Sequence, residues 1–202
     1  MMSKHVRTFF FFPDVFIVTL LFLAGLIFTL YHVSLLAFVY ILAGAFSYAL
    51  SEYVVHRFVF HMKPPKQQFF LRLLKRLHYD HHTHPNELHL LFLPWWFSLP
   101  GLFIICAIIY GFTSNIVLTL AFATGLLGYF LFYEWSHFVA HRPIQPKTAF
   151  GQKLKKHHLL HHFKNENYWY GVTHTSLDKT MGTWKEQNEV DKSQTAKRLE
   201  HR

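Results

Sequence analysis

The chain has 202 residues, of which 51% are hydrophobic, 19% aromatic and only 15% charged, with 23 Phe and a formal net charge of +9. That length allows one domain, and the composition excludes an ordinary soluble one, in which about a quarter of residues are charged. The basic excess does not require a nucleic-acid partner, since polytopic membrane proteins carry Lys and Arg asymmetrically across the bilayer.

Residues 1–12 form a short basic lead, and Pro13 and Asp14 suit a helix start at the headgroup level. Residues 15–51 and 90–133 contain no Asp, Glu, Lys or Arg. Each stretch is far longer than the roughly 20 helical residues that cross a bilayer once, so each is predicted to be a helical hairpin. The four spans are expected at residues 15–30, 34–56, 95–111 and 116–136. The first apolar stretch is long and lacks a small-residue cleavage site, which favours a retained span over a signal peptide. The hairpin tips, at Tyr31-His32 and residues 111–115, carry no Lys or Arg, so both termini and the intervening loop are expected on the cytoplasmic side. Cys106, the lone cysteine, lies in a span and excludes an intrachain disulfide.

Glu52 ends the second span four residues before His56, and Glu134 precedes His137 by three. Each carboxylate can share a helix face with its imidazole; Glu52 either hydrogen-bonds a ligand ring or snorkels to the interface, and Glu134 repeats its logic. His56 and His61 differ by five positions, or about 140° on an ideal helix, so either the helix loosens or the two rings reach different ions. Pro64 and Pro65 then end the helix. Residues 69–77 alternate apolar and basic positions like a helix lying on a membrane surface, and lead into His78-Tyr79-Asp80-His81-His82.

Pro94-Trp95-Trp96 suits an aromatic belt at the next span, and Gly125 and Gly128, though small enough for close helix approach, are ordinary residues for a span. Pro143 and Pro146 close the fourth helix, and a basic segment leads to a second triplet, His158, His161 and His162. Residues 165–183 are polar and aromatic and include His174 and Asp178; residues 185–202, of mixed charge with few apolar positions, are expected to be a solvated helix or disordered. One domain is expected over residues 1–202, with a cap formed by 56–92 and 137–184.

The histidines form one device used twice. A pair, His56 with His61 or His137 with His141, is followed seventeen positions after its second member by a triplet, His78, His81 and His82 or His158, His161 and His162. The i, i+3, i+4 spacing puts three rings on one side of a helix. Neutral imidazole is the commonest metal ligand, and ten buried rings are hard to explain by packing because each carries nitrogens that need partners. Ten donors exceed what one four- to six-coordinate ion uses, so two ions are expected. Iron is preferred because zinc has no redox chemistry, although zinc can occupy the same donors in a purified sample. His84, His89, His157 and His174 fall outside the repeat.

These residues resemble the membrane fatty acid hydroxylase superfamily, within the wider group of histidine-motif desaturases and sterol oxidases. The likeness covers roughly residues 51–184. It rests on the run from His56 through Pro64-Pro65, on the two HxxHH triplets, on His137 with His141, and on Gly171-Val172-Thr173 with Asp178 and Gly182-Thr183. The first and last of these are most similar to the fatty acid 2-hydroxylase branch. The resemblance implies an all-α, four-span membrane bundle with a cytosolic dimetal cap. It implies hydroxylation of a fatty acyl or lipid substrate by O2 and two electrons, with the ten histidines as ligands; Glu52, Glu134 and Asp178 are candidates to stand behind them. Many members of that branch carry a fused b-type cytochrome domain, for which this chain has no room, so a separate electron-donor protein is expected. The chain departs from that branch at Tyr168-Trp169-Tyr170 and His174-Thr175, which leaves the substrate open, and a carotenoid or sterol oxidase is the rival enzyme. A metal transporter or electron carrier is the non-enzymatic rival, disfavoured because the spans lack deep polar residues. Lys153, Lys155 and Lys156 are candidates to receive an acyl headgroup or an anionic lipid.

Overall fold

The structure, a computed structural model, describes residues 2–202; among them the regular elements are all helices, joined by turns and loops, with no strand. In chain order the helices are α1 (Met2–Phe10), α2 (Pro13–Tyr31), α3 (Leu35–Val54), α4 (Gln68–Leu74), α5 (Asp80–Thr83), α6 (Leu88–Leu91), α7 (Trp95–Thr113), α8 (Ile116–His141), α9 (Ala149–Phe163) and α10 (Ser176–Thr180). A π turn over Val55–Phe60 prolongs α3, and another over Lys75–Tyr79 joins α4 to α5. Four stretches, Pro13–Tyr31, Leu35–Phe60, Leu88–Thr113 and Ile116–His141, are long and apolar enough to cross a membrane, which makes this a multi-pass membrane protein. The basic lead is itself a helix, α1.

One compact unit comprises the chain up to Ala49 together with Leu93–Glu134. Lipid gives its helices no hydrophobic reason to associate, so close backbone approach and buried polar contacts hold them. A Cβ at Gly44 would stand 2.0 Å from the Phe122 carbonyl oxygen, and one at Gly125 would stand 1.9 Å from that of Ile41. The backbones of α3 and α8 therefore touch where only glycine fits, and Gly125 matters more than its sequence context suggests. The Thr29 and Thr124 hydroxyls, 3.3 Å apart, bridge α2 and α8. Asn115 caps α8 by accepting from the Val117 and Leu118 amides at 2.9 and 3.2 Å.

The start of α7 has no side-chain cap of its own. Asp14 accepts from the Trp95 amide at 2.9 Å, and Glu134 accepts from the Leu93 amide at 3.0 Å. Glu134, expected to steady the His137 ring, is thus turned to backbone, because an amide at a helix start has no other acceptor. An apolar cavity of about 700 Å³ lies among α2, α7 and α8, lined by Leu21, Phe28, Leu102, Cys106, Leu120 and Leu127 among others.

The other unit comprises Leu50–Phe92 and Trp135–Arg202. Phe60, Leu77, Phe92, Phe138 and Trp169 are buried in it. Lys155 Nζ donates to the carbonyls of Val139, Arg142 and Ile144 at 3.0, 2.7 and 2.9 Å. It closes the C-terminus of α8, where bare carbonyls favour a cation, and so is not available to a lipid headgroup; Lys153 and Lys156 stay exposed.

The tail is docked on the fold, although most of its residues face solvent. Val190, Ala196 and Leu199 are buried, and Leu199 packs with Leu74 and Tyr79. The Ser193 amide donates to the Lys164 carbonyl at 2.8 Å, and Asn165 Nδ2 donates to that of Asp191 at 3.0 Å. Three well-spaced apolar residues and a series of backbone hydrogen bonds suffice to dock a stretch whose average polarity suggests disorder.

Candidate metal centre

Burial collects the ten repeated histidines into two groups, His56, His61, His78, His82 and His161 in one and His81, His137, His141, His158 and His162 in the other. Within each group the nearest ring nitrogens all lie within 4.8 Å of one another. Every one of these residues is at most 8% exposed.

The π turn explains how His56 and His61 come together. The His61 amide donates to the His56 carbonyl, five residues back, at 3.1 Å, so the helix is wound more loosely there and a five-residue step returns to the same side. Of the two alternatives open in the sequence, the helix loosens. The triplets behave otherwise than expected. Each divides, with His78 and His82 in the first group and His81 in the second, while His158 and His162 are in the second and His161 in the first. Positions i+3 and i+4 lie about 100° apart around a helix axis, enough to aim adjacent rings at different centres. The groups are neighbours, since the His82 and His162 rings stack at 4.0 Å.

In the first group, His61 Nε2 lies 2.8 Å from His78 Nε2 and 3.0 Å from His161 Nε2, and His78 Nε2 lies 3.0 Å from His82 Nε2. In the second, the His81–His137 and His141–His158 Nε2 separations are 2.9 and 2.8 Å. Nitrogens about 2.1 Å from a common ion stand about 3.0 Å apart at right angles and about 3.4 Å apart at the tetrahedral angle. The spacing therefore fits right-angled donors.

Hydrogen bonding rules out a purely mutual arrangement of the rings. His56, His82 and His161 each place Nδ1 against a backbone carbonyl, of Tyr170, Ala196 and Tyr168, at 2.6, 2.7 and 2.8 Å. A neutral imidazole has one N–H, so these three direct bare Nε2 lone pairs inward. His162 has both ring nitrogens buried without a protein partner. Converging lone pairs in a buried space repel unless a cation lies between them, and the donor set suits a borderline transition metal. Burial pushes His61, His78, His81, His158, His161 and His162 well below the ordinary imidazole range and His82 down to about 3, which keeps them in the neutral form that ligates.

Glu52 is not bonded to His56 as expected. Its two oxygens accept from the Thr173 amide at 3.1 Å and hydroxyl at 2.7 Å, and one lies 3.7 Å from His174 Nε2. Asp178, fully buried, accepts from the Tyr170 and Gly171 amides, both at 2.8 Å, and from the Thr183 hydroxyl at 2.7 Å. Both carboxylates thus fix the 170–174 loop, which in turn presents the Tyr170 carbonyl to His56. His157 is buried against Trp184, and His84 and His89 are exposed. The carbonyls of Tyr168, Tyr170 and Ala196 leave no residue-type signal in the sequence, and neither does the role of Arg202, which donates to the His61 carbonyl at 2.8 Å.

An all-helical membrane protein with two adjacent five-imidazole groups able to hold metal is a narrow class. Residues 41–183 match the family model described as fatty acid hydroxylase, and the chain belongs to that family. It is 37% identical to fatty acid 2-hydroxylase of Homo sapiens over 133 residues, covering 64% of this chain and 35% of that protein. It is 32% identical over 154 residues to ceramide very long chain fatty acid hydroxylase scs7 of Schizosaccharomyces pombe, covering 73% and 42%. The solved structure of full-length Scs7p, in which only the hydroxylase domain is visible, superposes with a TM-score of 0.68 at 29% identity, over 88% of this chain and 66% of that one. The chain therefore spans about a third of the human relative's length.

Proposed function

We propose that the protein hydroxylates the acyl chain of a fatty acid or a ceramide-type lipid, using O2 and two electrons from an electron-transfer protein. One oxygen atom enters a C–H bond and the other leaves as water with two protons. The ten histidines are the ligands of two iron ions, five to each. Bound iron supplies the redox chemistry that activates dioxygen. The termini and the metal centre lie on the cytoplasmic side, as the distribution of Lys and Arg favours.

The observation that carries this reading is the pair of adjacent five-imidazole groups within the stretch matched by the family model. The chain's own residues hold neutral donors, keep bulk water from a buried centre, and orient the His56 ring through the Tyr170 carbonyl, whose loop Glu52 and Asp178 anchor. The selected carbon is set by how the apolar chain is held, since position governs which C–H bond meets the oxidant. The test supplies iron-loaded protein with a reducing system, 18O2 and a mixture of acyl lipids, sterols and carotenoids. One labelled oxygen atom per product acyl chain is expected. Products confined to sterols or carotenoids, or label absent from every lipid, would overturn the reading.

A further inference from the structure

The tail from Val190 to Arg202 touches the first histidine group at two places. His82 Nδ1 donates to the Ala196 carbonyl at 2.7 Å, which leaves its Nε2 lone pair directed into the group. Arg202 donates to the His61 carbonyl, at the end of the π turn, at 2.8 Å, and its other amino nitrogen donates to Asn167 Oδ1 at 2.6 Å. The π turn otherwise leaves that carbonyl at a helix end, where acceptors lack partners. His61 and His82 both belong to the first group.

The tail has its own anchors. Leu199 is 1% exposed beside Leu74 and Tyr79, Thr195 Oγ1 donates to buried Glu166 at 2.5 Å, and Thr83 Oγ1 donates to the Lys197 carbonyl at 3.0 Å. A carbonyl positions an imidazole only if the chain bearing it is fixed, and these contacts fix it on both sides of Ala196.

We propose that residues 190–202 are a positioning strap for the ion in the His56, His61, His78, His82 and His161 group, and for that ion alone. Loss of the strap frees His82 to change tautomer and lets the end of the π turn move, so that ion leaves faster while its neighbour does not. This rests on the metal-binding reading above.

The test follows release of iron(II) from the full chain to a chelator, counting ions per chain. Wild type should release both ions slowly. Leu199→Ala and Arg202→Gln should each release one ion per chain 10–100-fold faster, the size of effect usual for the groups that orient metal ligands, with the second ion unchanged. Leu199→Met should restore the wild-type rate, and Glu87→Gln, which breaks only the exposed pair with His89 and lies outside the strap, should leave it unaltered. Arg202→Gln keeps the test available if Leu199→Ala does not fold. Acceleration of both ions together would make the strap a support of the fold in general and overturn the proposal, as would unchanged release in both variants. A wild-type chain that binds no iron would instead remove the metal reading itself.

Discussion

Replacing two adjacent histidines should damage both metal groups, whereas replacing two that are far apart in sequence should damage only one. His81 and His82 are neighbours in α5 but belong to different groups, while His82 and His161 share the first. Each ring has its Nε2 within 2.9–3.0 Å of a partner in its own group, so each is placed as a donor. Loss of a group that merely orients a ligand weakens metal binding about 10–100-fold, or about 1.4–2.7 kcal/mol, so loss of a donor should cost at least the upper figure. His82→Ala with His161→Ala should therefore weaken one ion by about 10⁴-fold and leave the other near wild type, if the two losses add. His81→Ala with His82→Ala should weaken both ions by about 100-fold each. Chelator competition read by metal content per chain separates the two patterns. If the His81, His82 pair leaves one ion at wild-type affinity, each ion is held by a single triplet and the divided arrangement is wrong.

Thr173→Val removes a hydroxyl bond to buried Glu52 and should destabilise the protein by about 1.5–3 kcal/mol, read from a detergent-compatible denaturation midpoint, with no change expected at exposed Thr180→Val. Gly125→Ala would force a methyl against the Ile41 carbonyl and should cost about 1–3 kcal/mol, while Gly101→Ala, with nothing within 4 Å, should be neutral or slightly stabilising in the same assay. Acid should weaken the metal-free fold. His82 is lowered from 6.5 to about 3, so the unfolded chain takes up its proton first. Its stabilising contribution is complete above pH 6.5, falls as pH drops towards 3, and is down by about 2 kcal/mol at pH 5. A denaturation midpoint that stays level between pH 7 and pH 5 would contradict this.

The spans were legible because charge is excluded from residues 15–51 and 90–133, and hydrocarbon tolerates little else. The repeat of the histidine device was legible for a similar reason, since clustered imidazoles have few other uses. Their allotment to two groups was not. It depends on a π turn at Val55–Phe60, which has no sequence signature, and on the 100° between adjacent helical positions, which an inspection of one shared face overlooks. Glu52 and Glu134 were misread because helix spacing shows which side chains can meet, not which backbone amides lack an acceptor. The tail was misread because docking depends on where Val190, Ala196 and Leu199 fall, whereas average polarity depends only on how few they are.

Anomalous scattering from iron-loaded protein at the iron edge tests the central claim most directly. Two peaks are expected, one inside the His56, His61, His78, His82 and His161 group and one inside the His81, His137, His141, His158 and His162 group. A single peak shared by both groups, or peaks away from these rings, would contradict it.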